Sequence, residues 1–503
     1  MNLLTLPTTI PWLSLLWLLP AAAAVLVALL PAAQLHAMRV VGTVVSALTL
    51  TLATLLFLAY NPAGARYQFV ESATWVPQLG ISYTLGADGI GLAMLLLNGI
   101  VTLAATLLSW NIEARGRGYW SLLLLLSAGA YGVFSALDLF LLVLFYEMTI
   151  LPKFLLIGTW GRTRREYGAT KLALYMMAGS ALIIAGMIAV YLGSGLRTFD
   201  LRLLSEVALF SQAFQATWFP VVFLGFAVLA GMAPLHAWAP TGHVAAPTAA
   251  SMMLAGVMMK LGGYACLRVA FGVLPQGALE WLPALAVVTM LGALFGSTLA
   301  LVQRDFKYMV AYSSISHMAL ALMGMAAGNV VGLTGAVLQL FAHGVLTALL
   351  FGIVGRVVYD RAHTRNMDEL GGVARTMPFA AVLFIIGALS SMGMPGLAGF
   401  WAEFNVLTGT FAKFPLLAIL AAISIPITGA YTLRAVVKVF YGEQMPATLT
   451  MPPLTWQESS ALVLLAVVLV GVGLFPNALS EPIRTSVQPM VEALTRGGFV
   501  AGR

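Results

Sequence analysis

The sequence predicts an all-α polytopic membrane protein of about 14 transmembrane helices, and three observations carry that prediction. Of its 503 residues, 61% are hydrophobic and 9% charged, whereas an ordinary soluble domain carries roughly 25% charged residues. The apolar residues come in long runs, and fourteen spans of about 21 residues use roughly 290 positions, leaving little for a domain outside the bilayer. Gly and Pro also interrupt two of the runs at matching places, where a membrane helix has to break.

In order, the apolar runs place spans near 12–31, 38–59, 89–109, 118–136, 139–160, 169–193, 219–239, 246–271, 281–302, 308–327, 331–356, 378–410 with a break, 415–437 and 459–475. Residues 61–88 contain TWVPQLGISYTLGADG, whose short alternating stretches and turn residues predict a hairpin or an interfacial patch. Residues 200–215, DLRLLSEVALFSQAFQ, predict an amphipathic helix lying on the membrane. No basic residue precedes Arg39, so the opening segment reads as a first span and not as a cleaved leader. The resulting division gives helices one to three to residues 1–110, helices four to eight to 111–272, helices nine to thirteen to 281–437, and the fourteenth helix with a tail to 438–503.

The net charge of +7 matters less than where the charges sit. Loops after odd-numbered spans, with their edges, hold fifteen of the Lys and Arg residues; the opposite side holds seven, including Arg496 and Arg503; Lys153, Lys260 and Arg268 fall inside spans. By the positive-inside rule both termini face away from the cytoplasm. The single cysteine, Cys266, lies in an apolar run, so neither a disulfide framework nor a thiolate cluster is available. A phosphate-binding Gly-rich loop, a GxSxG elbow and a CxxC pair are all missing, which removes support for ATP-driven transport and hydrolase chemistry.

An ionised side chain at the centre of a span costs roughly 2.5–3.5 kcal/mol on insertion scales, so such residues mark ion or proton paths by default. Three stand out: Glu147 in LFLLVLFYEMTILPKFLLIG, Lys260 in SMMLAGVMMKLGGYACL, and Glu403 in MGMPGLAGFWAEFNVL. The bland alternatives are a neutral buried acid with a structural hydrogen bond and a lysine snorkelling to an interface. Glu403 follows Gly393, Pro395, Gly396 and Gly399, which interrupt its span, while Gly231, Pro234 and Pro240 surround His236 in LAGMAPLHAWAP. Pro234 and Pro395 are 161 residues apart, about five spans with loops. Five is odd, so a repeat of that length is inverted in the membrane, and paired breaks of this kind point to a midplane site. His317 in YSSISHM and His343 in VLQLFAHGVLTALL supply groups that both accept and donate protons near neutral pH. A histidine metal site is not expected, because His236 and His243 are seven residues apart across Pro240 with no acid or thiol beside them. The residues thus predict a proton or cation translocator built from inverted repeats.

At PLHAWAPTGHVAAPTAASMMLAGVMMKLGGYACLR, residues 234–268, the sequence resembles the antiporter-like membrane subunits of respiratory complex I and their Mrp-type cation/proton antiporter relatives. DLFLLVLFYEMTILPKFLLIGTWG (138–161), DFKYMVAYSSISHMALALMGMAAG (305–328) and HTRNMDELGGVARTMP with MPGLAGFWAEF (363–404) resemble the M-type branch, bacterial relatives of mitochondrial subunit 4. The resemblance implies two inverted five-helix bundles with broken seventh and twelfth helices. It implies that Glu147 belongs to an input half-channel, that Lys260 is central, that Glu403 lies near the exit, and that His317 and His343 belong to a hydrated axis. It implies a bacterial cytoplasmic membrane, other membrane-arm and peripheral-arm subunits as partners, no redox group in this chain, and FMN, iron–sulfur clusters and quinone in those partners. One position departs from the pattern: the lysine usual in the seventh helix is Leu229 here. Glu147 is therefore expected to work with another base, with Lys171, Lys153 or His236 as the candidates. The competing readings are a free-standing cation/proton antiporter, a ferredoxin- or hydrogenase-linked membrane complex, and a subunit that transmits motion without pumping.

Overall fold

A computed structural model describes residues 6–7, 9–207 and 209–496, and the side chain of Arg496 is not described. Arg503 of the basic count and Ala208 of the expected interfacial helix lie outside the described residues. Thirteen helices among the described residues are long and apolar enough to cross a membrane, and a further apolar span is divided in two. They are α1 (Trp12–Leu29), α2 (Leu35–Ala59), α3 (Gly89–Leu108), α4 (Gly116–Ser135), α5 (Leu139–Trp160) and α6 (Arg165–Gly193). Next come α7, in two pieces, Gln212–Ala230 and Trp238–Ala245, then α8 (Thr248–Phe271), α9 (Pro275–Val302), α10 (Phe306–Ala326) and α11 (Val330–Ala362). The divided span is α12, Pro378–Ser391 and Ala398–Phe411. The set closes with α13 (Pro415–Tyr441) and α14 (Trp456–Leu474), and α15 (Asn477–Arg496) follows.

Both expected breaks are present. Gly231, at φ +76, ends the first piece of α7, and Gly393, at φ +66, follows the first piece of α12; a side chain is strained at such angles, so glycine is the residue that ends a helix there. Elsewhere the helix starts are set by short polar side chains that accept from otherwise orphaned amides. Asp88 accepts from Gly91 N (2.9 Å) at α3, Asp138 from Leu141 N (3.1 Å) at α5, and Asn329 from Gly332 N (2.8 Å) at α11. Thr455 and Glu458 form a reciprocal box at α14.

The hairpin expected in residues 61–88 is an antiparallel pair, β1 (Gln68–Val76) and β2 (Ile81–Ala87), with Ser72 opposite Thr84. Its Glu71 carboxylate accepts from the amides of Leu13 (2.6 Å) and Ser14 (3.0 Å) at the start of α1, where negative charge suits the helix dipole. The interfacial helix expected over 200–215 is shorter than that: it covers Leu201–Glu206, and residues from Gln212 onward already belong to α7. The polar run QAFQATW is the outer end of a span, seven residues earlier than the apolar run begins, because Gln215 is buried and accepts from the Gln276 amide through Oε1 (2.9 Å). In α15, Leu479, Ile483, Val487, Met490 and Leu494 are buried at helical spacing. The tail therefore packs as an amphipathic helix against α3, α9 and α11.

Helices α8 and α11 are buried along their whole apolar windows and α3 and α10 nearly so, whereas α1, α2, α6, α13 and α14 are largely uncovered. The middle of the molecule is thus a closed stack of α3, α8, α10 and α11. Connectors after odd-numbered helices meet on one face: Arg162 N donates to Ala245 O (3.0 Å) and Arg365 Nη1 to Val244 O (3.2 Å). There Arg356 and Arg361 pair with Glu458 (2.6 and 2.8 Å), Arg162 with Asp360 (2.9 Å), and Arg365 with Asp305 (3.1 Å).

Candidate functional site

Lys260 lies in the middle of α8, in a short α-helical piece between two wider π turns, Leu254–Met258 and Cys266–Phe271. Such turns inside a helix recur at functional sites. The side chain is fully buried. Its Nζ donates to the Ala255 carbonyl of the preceding π turn and lies 3.0 Å from Nδ1 of His343 on α11. His343 Nε2 has no protein partner, and its ring is 5.3 Å, centroid to centroid, from that of His317 on α10.

His317 joins three elements. Its Nε2 is 3.0 Å from Ser391 Oγ, at the end of the first piece of α12. Its Nδ1 is 3.2 Å from Gln339 Nε2 on α11 and 3.2 Å from Glu403 Oε1 on the second piece of α12. One ring nitrogen cannot accept from the amide and donate to the carboxylate at once. A proton on Nδ1 favours Glu403, and its absence favours Gln339, so this junction has two hydrogen-bonding states that differ by a proton. The second oxygen of Glu403 is buried without a partner and faces Gly393, where an added Cβ would stand 2.6 Å from it. The break in α12 thereby makes room for the carboxylate. Lys260, His343, His317 and Glu403 form one buried row crossing α8, α11, α10 and α12.

On the other side of Lys260 the row is looser. Glu147 sits in α5, half-buried beside the exposed Leu144 and Leu151, with Oε1 sealed and unpartnered. Lys153, in the same helix, is buried with an unpartnered Nζ that lies 5.9 Å from the Tyr146 ring centroid. Lys171 and His236 form a separate group. Lys171 is half-buried over Tyr167 (5.6 Å) on α6. His236, in the break of α7, packs edge-on to Phe295 (5.1 Å), with Lys171 in electrostatic reach. Neither makes a hydrogen bond or ion pair with Glu147.

Two further buried residues, one weighed above only as a metal ligand, were not among the expected proton-path residues. His243, on the second piece of α7, is fully buried with both ring nitrogens unpartnered, within electrostatic reach of Lys260 and of Lys307. Lys307, near the start of α10, is buried and donates to Ala246 O (2.7 Å). Their signal was present: His243 is flanked by apolar and small residues, and Lys307 begins a span instead of preceding it. Farther out, Arg268 of α8 grips Asp88 with both Nη atoms (2.8 and 2.5 Å) and is also bonded to Tyr67 Oη (3.1 Å) and Tyr264 Oη (3.2 Å). With four of the five guanidinium N–H donors used, this pair locks α8 to α3.

Residues 136–428 match the family model described as NADH:quinone oxidoreductase/Mrp antiporter, transmembrane. The chain is 37% identical to an NAD(P)H-quinone oxidoreductase chain 4 of Synechococcus sp. (strain JA-3-3Ab), covering 94% of this chain and 91% of that one. It is 35% identical to NADH-quinone oxidoreductase subunit M of Rhodobacter capsulatus, covering 95% and 96%. Among solved structures, a chain of respiratory complex I from Thermus thermophilus with bound NADH superposes with a TM-score of 0.88 at 29% identity, covering 96% of this chain and 99% of that chain.

Proposed function

The chain belongs to the NADH:quinone oxidoreductase/Mrp antiporter transmembrane family, and from that premise we propose that it moves protons across the membrane arm of an NADH:quinone oxidoreductase. The observation that carries the proposal is the buried row from Lys260 through His343 and His317 to Glu403. Four titratable groups stand in succession in a closed helix stack, where each ionised form is costly unless a neighbour compensates it. Adding a proton at one junction therefore changes the charge its neighbours tolerate, and a proton is passed on. Relatives at 35–37% identity over nine-tenths of both chains carry oxidoreductase names, which favours this reading over a free-standing antiporter or a hydrogenase-linked complex.

In this reading Glu147 receives protons, Lys260 holds the central one, His343 and His317 relay it, and Glu403 gives it up. Lys153 supports Glu147, while Lys171 and His236 form a side branch at the break of α7. The helices α4 to α8 and α9 to α13 are the two repeats, each contributing one half of the path. Redox chemistry belongs to partner subunits carrying FMN, iron–sulfur clusters and quinone, whose energy biases the ion pairs here. The half-buried Glu147 between the exposed Leu144 and Leu151 suits a neighbouring membrane subunit better than lipid, since lipid penalises the carboxylate. The membrane is a bacterial cytoplasmic membrane, with the basic face inside and both termini outside.

Purification through a tag on this subunit in mild detergent, with partner identification by mass spectrometry and an NADH:quinone assay, tests the assignment. Several membrane subunits and active quinone reduction are expected. Isolation alone, with cation flux and no quinone activity, would return the argument to an antiporter. In the assembled complex, Lys260→Ala should lower NADH-driven proton uptake about fivefold or more, within the range of linked sites. Full uptake in that variant counts decisively against the path.

A further inference from the structure

Lys153 is a buried lysine that nothing in the fold explains. It is 1% exposed and its Nζ has no acceptor, and the first piece of α7 contains no Lys or Arg. An ammonium left so in a membrane interior is expensive, so its surroundings indicate what it is kept for. Helix α5 is interrupted at Thr149, between pieces ending at Met148 and starting at Ile150, and Pro152 lacks an amide donor there. Glu147 and Lys153 stand on either side of this interruption. They make no direct ion pair, yet the Glu147 carboxylate is within electrostatic reach of the Lys153 ammonium.

The direction in which Lys153 reaches matters more. Its Nζ sits against the ring of Tyr146, one of the residues two helical turns back, and that ring packs edge-on to Phe226 of α7 (5.9 Å, 83°). Leu229, one turn beyond Phe226, is fully buried. Its backbone meets α8 at Gly262, where an added Cβ would stand 3.0 Å from the Leu229 carbonyl carbon. Gly262 is two residues from Lys260. Lys153 thus lies against a ring that packs on α7, and α7 in turn packs on α8 two residues from the central lysine. Tyr146 Oη is also buried and unpartnered.

We propose that Lys153 is the proton-exchanging base between Glu147 and Lys260, doing from α5 what α7, lacking any basic residue, cannot do. The proposal rests on the proton-translocation reading above. With Glu147 ionised, Lys153 holds a proton on Nζ as the compensating charge. When Glu147 takes up a proton, that compensation ends, and the Lys153 proton passes toward a neutral Lys260 amine. Lys153 is left as the amine and Lys260 as the ammonium: one proton has entered at Glu147, one has passed from Lys153 to Lys260, and the charge that entered now sits on Lys260.

The test compares NADH-driven proton uptake with NADH:quinone turnover in the assembled complex, in membrane vesicles, for four variants. Lys153→Met should lower uptake about fivefold or more, as Lys260→Ala does. Lys153→Arg keeps the charge and the contact with Tyr146 but cannot release a proton, so it should fail equally. Adding Leu229→Lys to Lys153→Met should restore uptake, because a base is then supplied from α7 instead. Full uptake in Lys153→Met or in Lys153→Arg overturns the proposal, as does a double variant no better than Lys153→Met. If Lys153→Met does not assemble, Lys153→Arg carries the decision. Loss in Lys260→Ala with none in the Lys153 variants defeats this proposal alone; no loss in Lys260→Ala defeats the reading beneath it.

Discussion

At Glu403 one carboxylate oxygen is committed to His317 and the other is buried against a glycine. Glu403→Gln keeps the shape but can neither carry the negative charge nor take up and release a proton. Proton uptake should fall while the complex still assembles; normal uptake with Gln at 403 would remove this residue from the path. Asp88 shows the opposite use of a buried acid. Burial alone lifts its carboxyl, but Arg268 beside it and the Gly91 amide hold it below the usual carboxylate range. A depressed carboxyl contributes stability that is complete above its unfolded value, about 3.9, and is lost as pH falls through the lower folded value. Near neutral pH the contribution is whole, and Asp88→Asn strands a buried guanidinium at a cost of about 3–5 kcal/mol. Thermal unfolding of the purified complex should shift down accordingly; an unshifted midpoint would mean that water has replaced the carboxylate.

Among the elements, α7 and α8 depend on each other most closely. A Cβ at Gly262 would lie 2.5 Å from Ala230 N and 2.6 Å from Phe226 O, and backbone atoms cannot turn aside as a side-chain end can. Gly262→Ala should therefore push α7 off α8 at a cost of roughly 1–3 kcal/mol, lowering both assembled complex on native gels and proton uptake. Gly471→Ala in α14, where nothing lies within 4 Å, should change neither, and equal damage from both would remove the steric explanation. This contrast also separates what could be read from the chain and what could not. Breaks in α7 and α12 were readable because Gly and Pro act locally on the backbone, and Lys260 and Glu403 because a charge in an apolar run is conspicuous alone. The π turns around Lys260, Leu254–Met258 and Cys266–Phe271, carry no such local mark. The Arg268–Asp88 grip joins residues 180 positions apart, and only the folded topology brings them together. QAFQATW misled for a related reason: the oxygen of its buried Gln215 accepts from the start of another helix, not from water.

Over the whole molecule, the basic connectors gather on one face and the hairpin, the α6–α7 connector and α15 on the other. That arrangement turns the charge asymmetry into an orientation that can be measured. Cys266 is the chain's only cysteine and is fully buried, so a membrane-impermeant maleimide should leave the native protein unlabelled and any added thiol reports alone. Glu113, in the α3–α4 connector, and Glu206, at the end of the short helix before α7, are both exposed and lie on opposite faces. With the basic face inside, Glu206→Cys should label in intact cells and Glu113→Cys only in inside-out vesicles. The reverse pattern would invert the orientation and with it the direction assigned to the path, making Glu403 the receiving end. Labelling of neither site in the complex, with both labelled after detergent dissociation, would instead place a partner subunit over both connectors.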